Sequence, residues 1–172
     1  MLKLRICGRI DRHFERFINV GIGEFAVSKS PHILVTWSLG SCLAIILYDK
    51  RTKIGGLAHA MLPNATSKKR EQRGMFVDTA IADMLNEIRH CGALNEGITA
   101  AIIGGATIFN FFGELAIGEK NIKVAREIFR KLGIPIVKEE VGGNRGRNVL
   151  LDLEKGEIYV EITRSPIFIT NS

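Results

Sequence analysis

Thiols and imidazoles are the side chains of this sequence suited to nucleophilic attack coupled to proton transfer near neutral pH, and both are scarce. There are three cysteines, Cys7, Cys42 and Cys91, and four histidines, His13, His32, His59 and His90. The cysteines form no CxxC pair and the histidines are scattered, so neither a structural zinc site nor a disulfide framework is expected. Each thiol is then either a small buried hydrophobe or a reactive group. A free thiol, with a pKa of about 8.5, is only slightly ionised at neutral pH and needs a base beside it to attack a carbonyl carbon. Cys42 follows Leu39–Gly40–Ser41 at the mouth of an apolar run, and His59 lies inside another. Cys91 closes a helical pattern, and the histidines nearest to the other two thiols, His13 and His90, stand in polar surroundings. Cys7 and Cys91 are therefore read as structural or incidental.

The elements that must position Cys42 and His59 are two strands and a turn. Leu43–Tyr48 (LAIILY) carries almost no polar residue, as expected of a strand covered on both faces, and Ile54–Leu62 follows after the charged DKRTK. With Lys50 and Arg51 at the centre of a hairpin turn, Cys42 faces His59 with Cβ atoms roughly 4.5–5.5 Å apart. A shift of one residue puts His59 opposite Leu43 and sends the two groups to opposite faces. The spacing permits a dyad and does not compel it; the other reading is a buried filler thiol and a satisfied core histidine. Thr36, on the preceding run His32–Trp37, is a candidate to orient the ring through its hydroxyl or backbone carbonyl. Gly40 and Ser41 would let the chain bend and present N–H groups to a developing oxyanion.

Beyond the hairpin the period changes. Val77, Ile81, Met84, Leu85 and Ile88 fall at helical spacing before Gly92. ITAAIIGGA reads as a buried strand ending in the pair Gly104–Gly105. These two glycines fit either close backbone approach, to substrate or to Cys42, or tight strand packing. EKNIKVAREIFRKLG reads as a second amphipathic helix with Ile122, Ala125, Ile128 or Phe129, and Leu132 on one side, closed by Gly133 and Pro135. IPIVKEEV, RNVLLDL and EIYVEI complete a strand-rich end. Gly142–Gly143–Asn144–Arg145–Gly146–Arg147 lies between two of these strands and has no Lys–Ser/Thr ending, so a turn is expected rather than a phosphate loop. About seven strands and two main helices give one mixed α+β domain.

Composition narrows the function classes. A hydrophobic fraction of 46% and a charged fraction of 24% are those of a globular chain. No apolar run is long enough to cross a bilayer, and the basic N-terminus lacks the apolar core of a secretory signal, so a cytoplasmic location is expected. The net charge is +6, with basic residues at Lys3, Arg5, Arg9, Arg12 and Arg16 and again at Lys68, Lys69, Arg70 and Arg73. Neither cluster is interleaved with the aromatics of a base-stacking surface. Solvated loops and an arm are expected there, not nucleic-acid recognition.

Taken in order, these segments resemble the chemoreceptor glutamine deamidases of the CheD family. The resemblance runs from about Ile18 to Ile162: GIGEFAVSKSPHILVTWSLGSCLAIILYD, then GGLAHAMLPN, IIGGATIF, IGEKNIKVAREIFRKLGIPIV and EEVGGNRGRNVLLD. It departs from the family pattern at Trp37–Ser38, at Arg73–Asp78 and at Ala101, none of which is Thr36, Cys42 or His59. The resemblance implies hydrolysis of particular glutamine side chains on the cytoplasmic helices of chemoreceptors, with release of ammonia. Carried over residue by residue, Cys42 is the nucleophile, His59 its proton-transfer partner and Thr36 the orienting group. No metal or organic cofactor is implied. The implied fold is a mixed β-sandwich flanked by helices, similar to the cysteine-hydrolase domains of deamidating toxins. Members often bind the adaptation phosphatase CheC, and a basic face would favour encounter with glutamate-rich receptor helices. The expected organisation is a basic arm over residues 1–17 and a single deamidase domain over 18–172. The competing reading is a non-catalytic module that docks on the phosphatase or on receptors.

Overall fold

The computed structural model describes residues 16–65, 73–107 and 116–163. Those residues form nine strands and two α-helices: β1 Phe17–Asn19, β2 Phe25–Lys29, β3 Ile33–Leu39, β4 Leu43–Asp49, β5 Ile54–Ala60, α1 Val77–His90, β6 Ile98–Gly104, α2 Ile117–Leu132, β7 Ile136–Val141, β8 Arg147–Asp152 and β9 Glu157–Ile162. The strands make two mixed sheets, a four-stranded one in the order β1-β3-β8-β9 and a five-stranded one in the order β2-β5-β4-β6-β7. The α+β sandwich expected from the sequence is thus observed. Most of the expected strands and helices appear within a few residues of their expected limits. The basic residues Lys3–Arg12 and Lys68–Arg70 lie outside the described residues.

The core explains the layering. Every residue of β4 and of β5 is buried, so both faces of the large sheet must be covered. On one face Leu43, Ile45, Leu47, Ala58 and Ile102 pack against Ile81, Met84 and Ile88 of α1 and Ala125 and Phe129 of α2. On the other, Ala44, Ile46, Leu57, Ala101 and Ile103 pack against Leu34, Val149 and Leu151 of the small sheet. The order is small sheet, large sheet, helices. The stripe of α1 holds Val77, Ile81, Met84, Leu85 and Ile88 as the spacing predicts. On α2 the buried face is Gly118, Asn121, Ile122, Ala125 and Phe129, while Leu132 is exposed. Gly133 closes α2 in the left-handed region. Cys91 is disulfide-bonded, against the expectation of three independent thiols, and Cys42 is the free cysteine among the described residues.

The turn between β4 and β5 is two residues longer than the sequence arithmetic gives, with both extra residues on the β5 side. Asp49 pairs with Ile54, leaving four residues, Lys50–Lys53, in the loop. Asp49 holds that loop together: its carboxylate accepts hydrogen bonds from the Arg51 N–H (3.0 Å), the Thr52 hydroxyl (2.9 Å) and the Leu94 N–H (3.0 Å). The wider turn exists because Asp49 collects donors from its own loop and from the segment after α1.

Burial by itself would raise the Asp49 carboxyl, but the hydrogen bonds from Leu94, Thr52 and Arg51 outweigh it and hold the group below its ordinary value. A carboxylate depressed in the folded state contributes stability above its unfolded pKa, about 3.9, and loses it as pH falls through the folded value. Asp49→Ala is expected to lower the unfolding free energy by about 2–3 kcal/mol at neutral pH. Urea unfolding from pH 7 down to pH 3 checks it: the gap between wild type and variant should narrow at the acid end, and a constant gap would contradict this role.

Candidate active site

The site lies at one end of the sandwich, where the chain crosses from the small sheet to the large one. Thr36 and Val149 pair in β3 and β8, and the next pair is Leu39 with Arg147, so Trp37 and Ser38 together face one residue, Asn148. This bulge carries Ser38 at φ 58 and leaves Trp37 exposed. It also changes the phase of the strand: Leu34 and Thr36 face the interior before it, and Leu39, fully buried, faces the interior after it. The bulge falls at Trp37–Ser38, where the sequence departs from the family pattern, and the chain runs on through Gly40 and Ser41 to Cys42.

Cys42 and His59 are brought together, but in a different register from the one the turn arithmetic favoured. His59 pairs with Ala44, and Ala60 with Leu43. The wider turn moves the register by two residues, not one, and an even shift preserves the face. His59, Ala44 and Cys42 accordingly all point between the sheets, with Cys42 packed against the inter-sheet cluster. Cys42 is diagonal to His59 across the ladder, at a Cβ separation on the order of 7 Å that a thiol and an imidazole can bridge. Cys42 is half-buried and His59 is 1% exposed. Of the two side chains, the thiol is thus the one with access to solvent.

Thr36 comes from the opposite sheet. Its Oγ1 lies 2.7 Å from His59 Nδ1 and 2.7 Å from the Val20 carbonyl oxygen. A carbonyl oxygen can only accept, so the single hydroxyl proton of Thr36 goes to Val20. The hydroxyl must then accept from His59, which places the ring proton on Nδ1 and leaves Nε2 as the basic nitrogen. Nε2 is buried and has no hydrogen-bond partner among the described residues. The imidazole backbone is fixed as well, by His59 N–H to Glu24 O (3.0 Å) and Gly23 N–H to His59 O (2.8 Å).

Burial decides the charge state of the pair. It lowers His59 from 6.5 to about 4 and raises the Cys42 thiol. Its own backbone N–H, directed at the sulfur, opposes part of the rise for Cys42. Both desolvation effects disfavour charge, so the resting pair is thiol and neutral imidazole rather than thiolate and imidazolium.

Neighbouring backbone locks the nucleophile turn. The Gly105 N–H donates to Cys42 O (2.8 Å) and the Ala106 N–H to Gly40 O (2.9 Å). A Cβ on Gly104, at φ +111, would stand 2.5 Å from Cys42 O. Both readings of the glycine pair are observed, one at each position: Gly104 approaches the backbone of Cys42, and Gly105 packs tightly against Ile122 and Gly118 of α2. The Gly142–Gly143 segment is a turn between β7 and β8, bonded through Gly142 N–H to Gly104 O and Thr107 N–H to Gly143 O, each 2.8 Å. One contributor escaped the sequence reading. Asn121 of α2 is fully buried and donates from Nδ2 to Ser41 O (3.1 Å) and to Met61 O (3.0 Å). Its signal was a polar residue in register with Gly118, Ile122 and Ala125 on the buried stripe.

Comparison with known proteins gives one family. A family model described as "CheD chemotactic sensory transduction" matches residues 61–162. A Desulforamulus reducens protein is 40% identical over 154 residues, covering 87% of this chain and 93% of its own. Proteins from Pyrococcus horikoshii (44% identical; 82% and 89% covered) and Methanococcus maripaludis (41%; 83% and 93%) are similarly related. All three bear the name "Probable chemoreceptor glutamine deamidase CheD". A crystal structure of a Neisseria meningitidis protein aligns at a TM-score of 0.43 with 12% identity, covering 75% of this chain and 62% of that one, too distant to carry an argument.

The electrostatics make a measurable statement. His59 is depressed in the folded state, from 6.5 to about 4, so between those values the unfolded chain binds more protons than the native one. The stability due to the neutral ring is complete above pH 6.5 and is lost as pH falls toward 4. NMR titration of the His59 ring is expected to show a midpoint near 4, and His59→Gln should flatten the stability profile across that window. A midpoint at 6–7 would instead mean that an ion pair with Cys42 holds the proton.

Proposed function

The chain belongs to the CheD family of chemotactic sensory transduction proteins, and from that premise we propose that it is a chemoreceptor glutamine deamidase working through Cys42, His59 and Thr36. The observation that carries the residue assignment is the Thr36–His59 bond, which leaves the Nε2 lone pair free on the face that Cys42 shares. The substrate class is the glutamine side chains of chemoreceptor cytoplasmic helices, and the reaction is hydrolysis of a primary amide to a carboxylate. The reaction takes place in the cytoplasm, within a single deamidase domain over residues 18–172 that follows a basic arm over 1–17. No helix among the described residues is long and apolar enough to cross a membrane.

The steps follow from the neutral resting pair. As Cys42 Sγ attacks the amide carbon, its proton passes to His59 Nε2, so that charge appears only with bond formation. The carbonyl oxygen becomes an oxyanion, and the Cys42 N–H, on the same residue as the attacking sulfur, is the donor we assign to it. The imidazolium then gives its Nε2 proton to the amide nitrogen, the C–N bond breaks and ammonia leaves. Water, deprotonated by Nε2, attacks the thioester, the C–S bond breaks, and the proton returns to sulfur. The Nδ1 proton stays on the ring throughout, held toward Thr36. The scheme uses no metal or organic cofactor. A second partner, the CheC phosphatase, fits the family, and its docking would not require the thiol.

Ammonia release from a receptor cytoplasmic fragment, with mass-spectrometric mapping of the converted glutamines, tests the assignment. Cys42→Ala is expected to release none. His59→Gln should lose at least about 100-fold in kcat, and Thr36→Val roughly 10–100-fold through loss of the ring's tautomer and orientation. Deamidation by Cys42→Ala at the wild-type rate would overturn the nucleophile. Silence of both wild type and Cys42→Ala, with intact receptor or phosphatase binding, would favour a docking module.

A further inference from the structure

Asn121 is a buried polar group at this end of the fold that the scheme above does not use. It lies on the second turn of α2, fully buried, and both amide hydrogens of its Nδ2 are engaged, one with Ser41 O at 3.1 Å and one with Met61 O at 3.0 Å. The assignment of the amide is fixed by these partners, since the reverse orientation would set its oxygen against two carbonyl oxygens. Ser41 precedes the nucleophile, and Met61 follows the strand that carries His59 by one residue. A single side chain therefore ties the two segments bearing the thiol and the base.

The Ser41 carbonyl is no arbitrary anchor. It belongs to the same planar peptide as the Cys42 N–H, and in a trans peptide the C=O and N–H point in opposite directions. Whatever fixes Ser41 O on one side fixes the direction of the Cys42 N–H on the other. The next peptide is held in the same way, by the Gly105 N–H on Cys42 O. A donor on Ser41 O also polarises the peptide and strengthens the N–H as a donor. The Oδ1 of Asn121 is buried with no hydrogen-bond partner among the described residues. The side chain thus spends both its donors on the two segments that carry the thiol and the imidazole while its own acceptor goes unpaired.

We propose that Asn121 is a positioning residue, which holds the Ser41–Cys42 peptide so that the Cys42 N–H faces the reacting centre and which keeps that turn in register with the His59 strand. The assignment rests on the deamidase reading above. Asn121 touches neither thiol nor imidazole; it acts through the backbone of one and the strand of the other.

The test compares Asn121→Leu, near in volume and without donors, with Phe129→Leu, which loosens the same helix away from the site. Two readouts are taken at matched folded fraction: kcat and KM for receptor-fragment deamidation, and the pH profile of Cys42 alkylation by iodoacetamide, which needs no receptor. Asn121→Leu leaves the Ser41 and Met61 carbonyls without their donor and is expected to fold with a somewhat lower Tm than wild type, which the matched folded fraction takes out of the comparison. Its kcat should fall roughly 10–100-fold with KM little changed, and the alkylation inflection should move to higher pH. Phe129→Leu should lower Tm while leaving the alkylation inflection and kcat near wild type. Asn121→Ala replaces the leucine variant if that one fails to fold, with the same expectations for kcat and alkylation. The proposal is overturned if the Asn121 variant keeps wild-type kcat and alkylation profile, or if Phe129→Leu reproduces its losses. A wild type that does not deamidate would instead sink the parent reading, and the alkylation arm would still decide whether Asn121 governs Cys42.

Discussion

The hydroxyl of Thr36 has one proton, and the Val20 carbonyl takes it. Much of the site depends on that allocation. Because Thr36 has no proton left to give to the ring, His59 must donate from Nδ1, and the nitrogen facing away from Thr36 must be the base. A side chain that could donate in both directions would leave the tautomer open. The neutral ring is then kept neutral by burial, which lowers its proton affinity well below the physiological range. Two modest facts, a carbonyl that cannot donate and a ring that cannot easily charge, specify which atom can accept the thiol proton and when.

That bond also explains the layering. Thr36 is on the small sheet and His59 on the large one, so the sandwich must close before the base is oriented. The packing of Leu34, Val149 and Leu151 against Ala44, Ile46 and Leu57 closes it, and Tyr48 donating to Leu153 O at 3.0 Å ties the two layers at the far end. Helix α2 closes the third side, from the opposite face of the large sheet. Its first turns sit so close to the Gly104–Gly105 strand end that a Cβ on Gly118 would stand 2.4 Å from Gly105 O. All three layers thus converge on the crossover that carries Cys42: the small sheet brings Thr36, the large sheet His59, and α2 Asn121.

Most of this was legible in the sequence where periodicity and residue type carried it. The doubly buried β4, the stripe of α1 and the α2 stop at Gly133–Pro135 could be read directly, and Thr36, Cys42 and His59 could be picked out as a set. The hairpin register could not. Its turn is widened by Asp49, which draws one of its donors from Leu94, 45 residues away, and no local pattern contains that contact. The set survived because the error was even: two residues of slip leave the same side chains on the same face, whereas one would have separated them. β1, three residues long, was too short for alternation to show. The bulge at Trp37–Ser38 registered only as a departure from a family pattern, since its cause is the crossing between sheets. Asn121 was missed because a polar residue on an apolar stripe gives no hint of which carbonyls it will meet.

The contrast in exposure between the two partners bears on the chemistry itself. His59 is 1% exposed and Cys42 half-buried, an asymmetric pair in which the thiol has the greater access to solvent. In an open site, solvent would stabilise a resting thiolate and imidazolium, and the barrier to attack would include stripping that solvation away. In the proposed mechanism the charges are disfavoured until the amide carbon is within bonding distance, when the negative charge moves from sulfur to the carbonyl oxygen. Such a site asks little of the substrate beyond a neutral, slender amide able to reach the rim, which a glutamine on a helix surface presents at the end of a flexible stem. The second half of the reaction needs the opposite, since water must come to the thioester, and the rim position of Cys42 supplies that access once ammonia has gone. For the proposed mechanism, a buried imidazole and a more accessible thiol therefore suit both halves of the reaction.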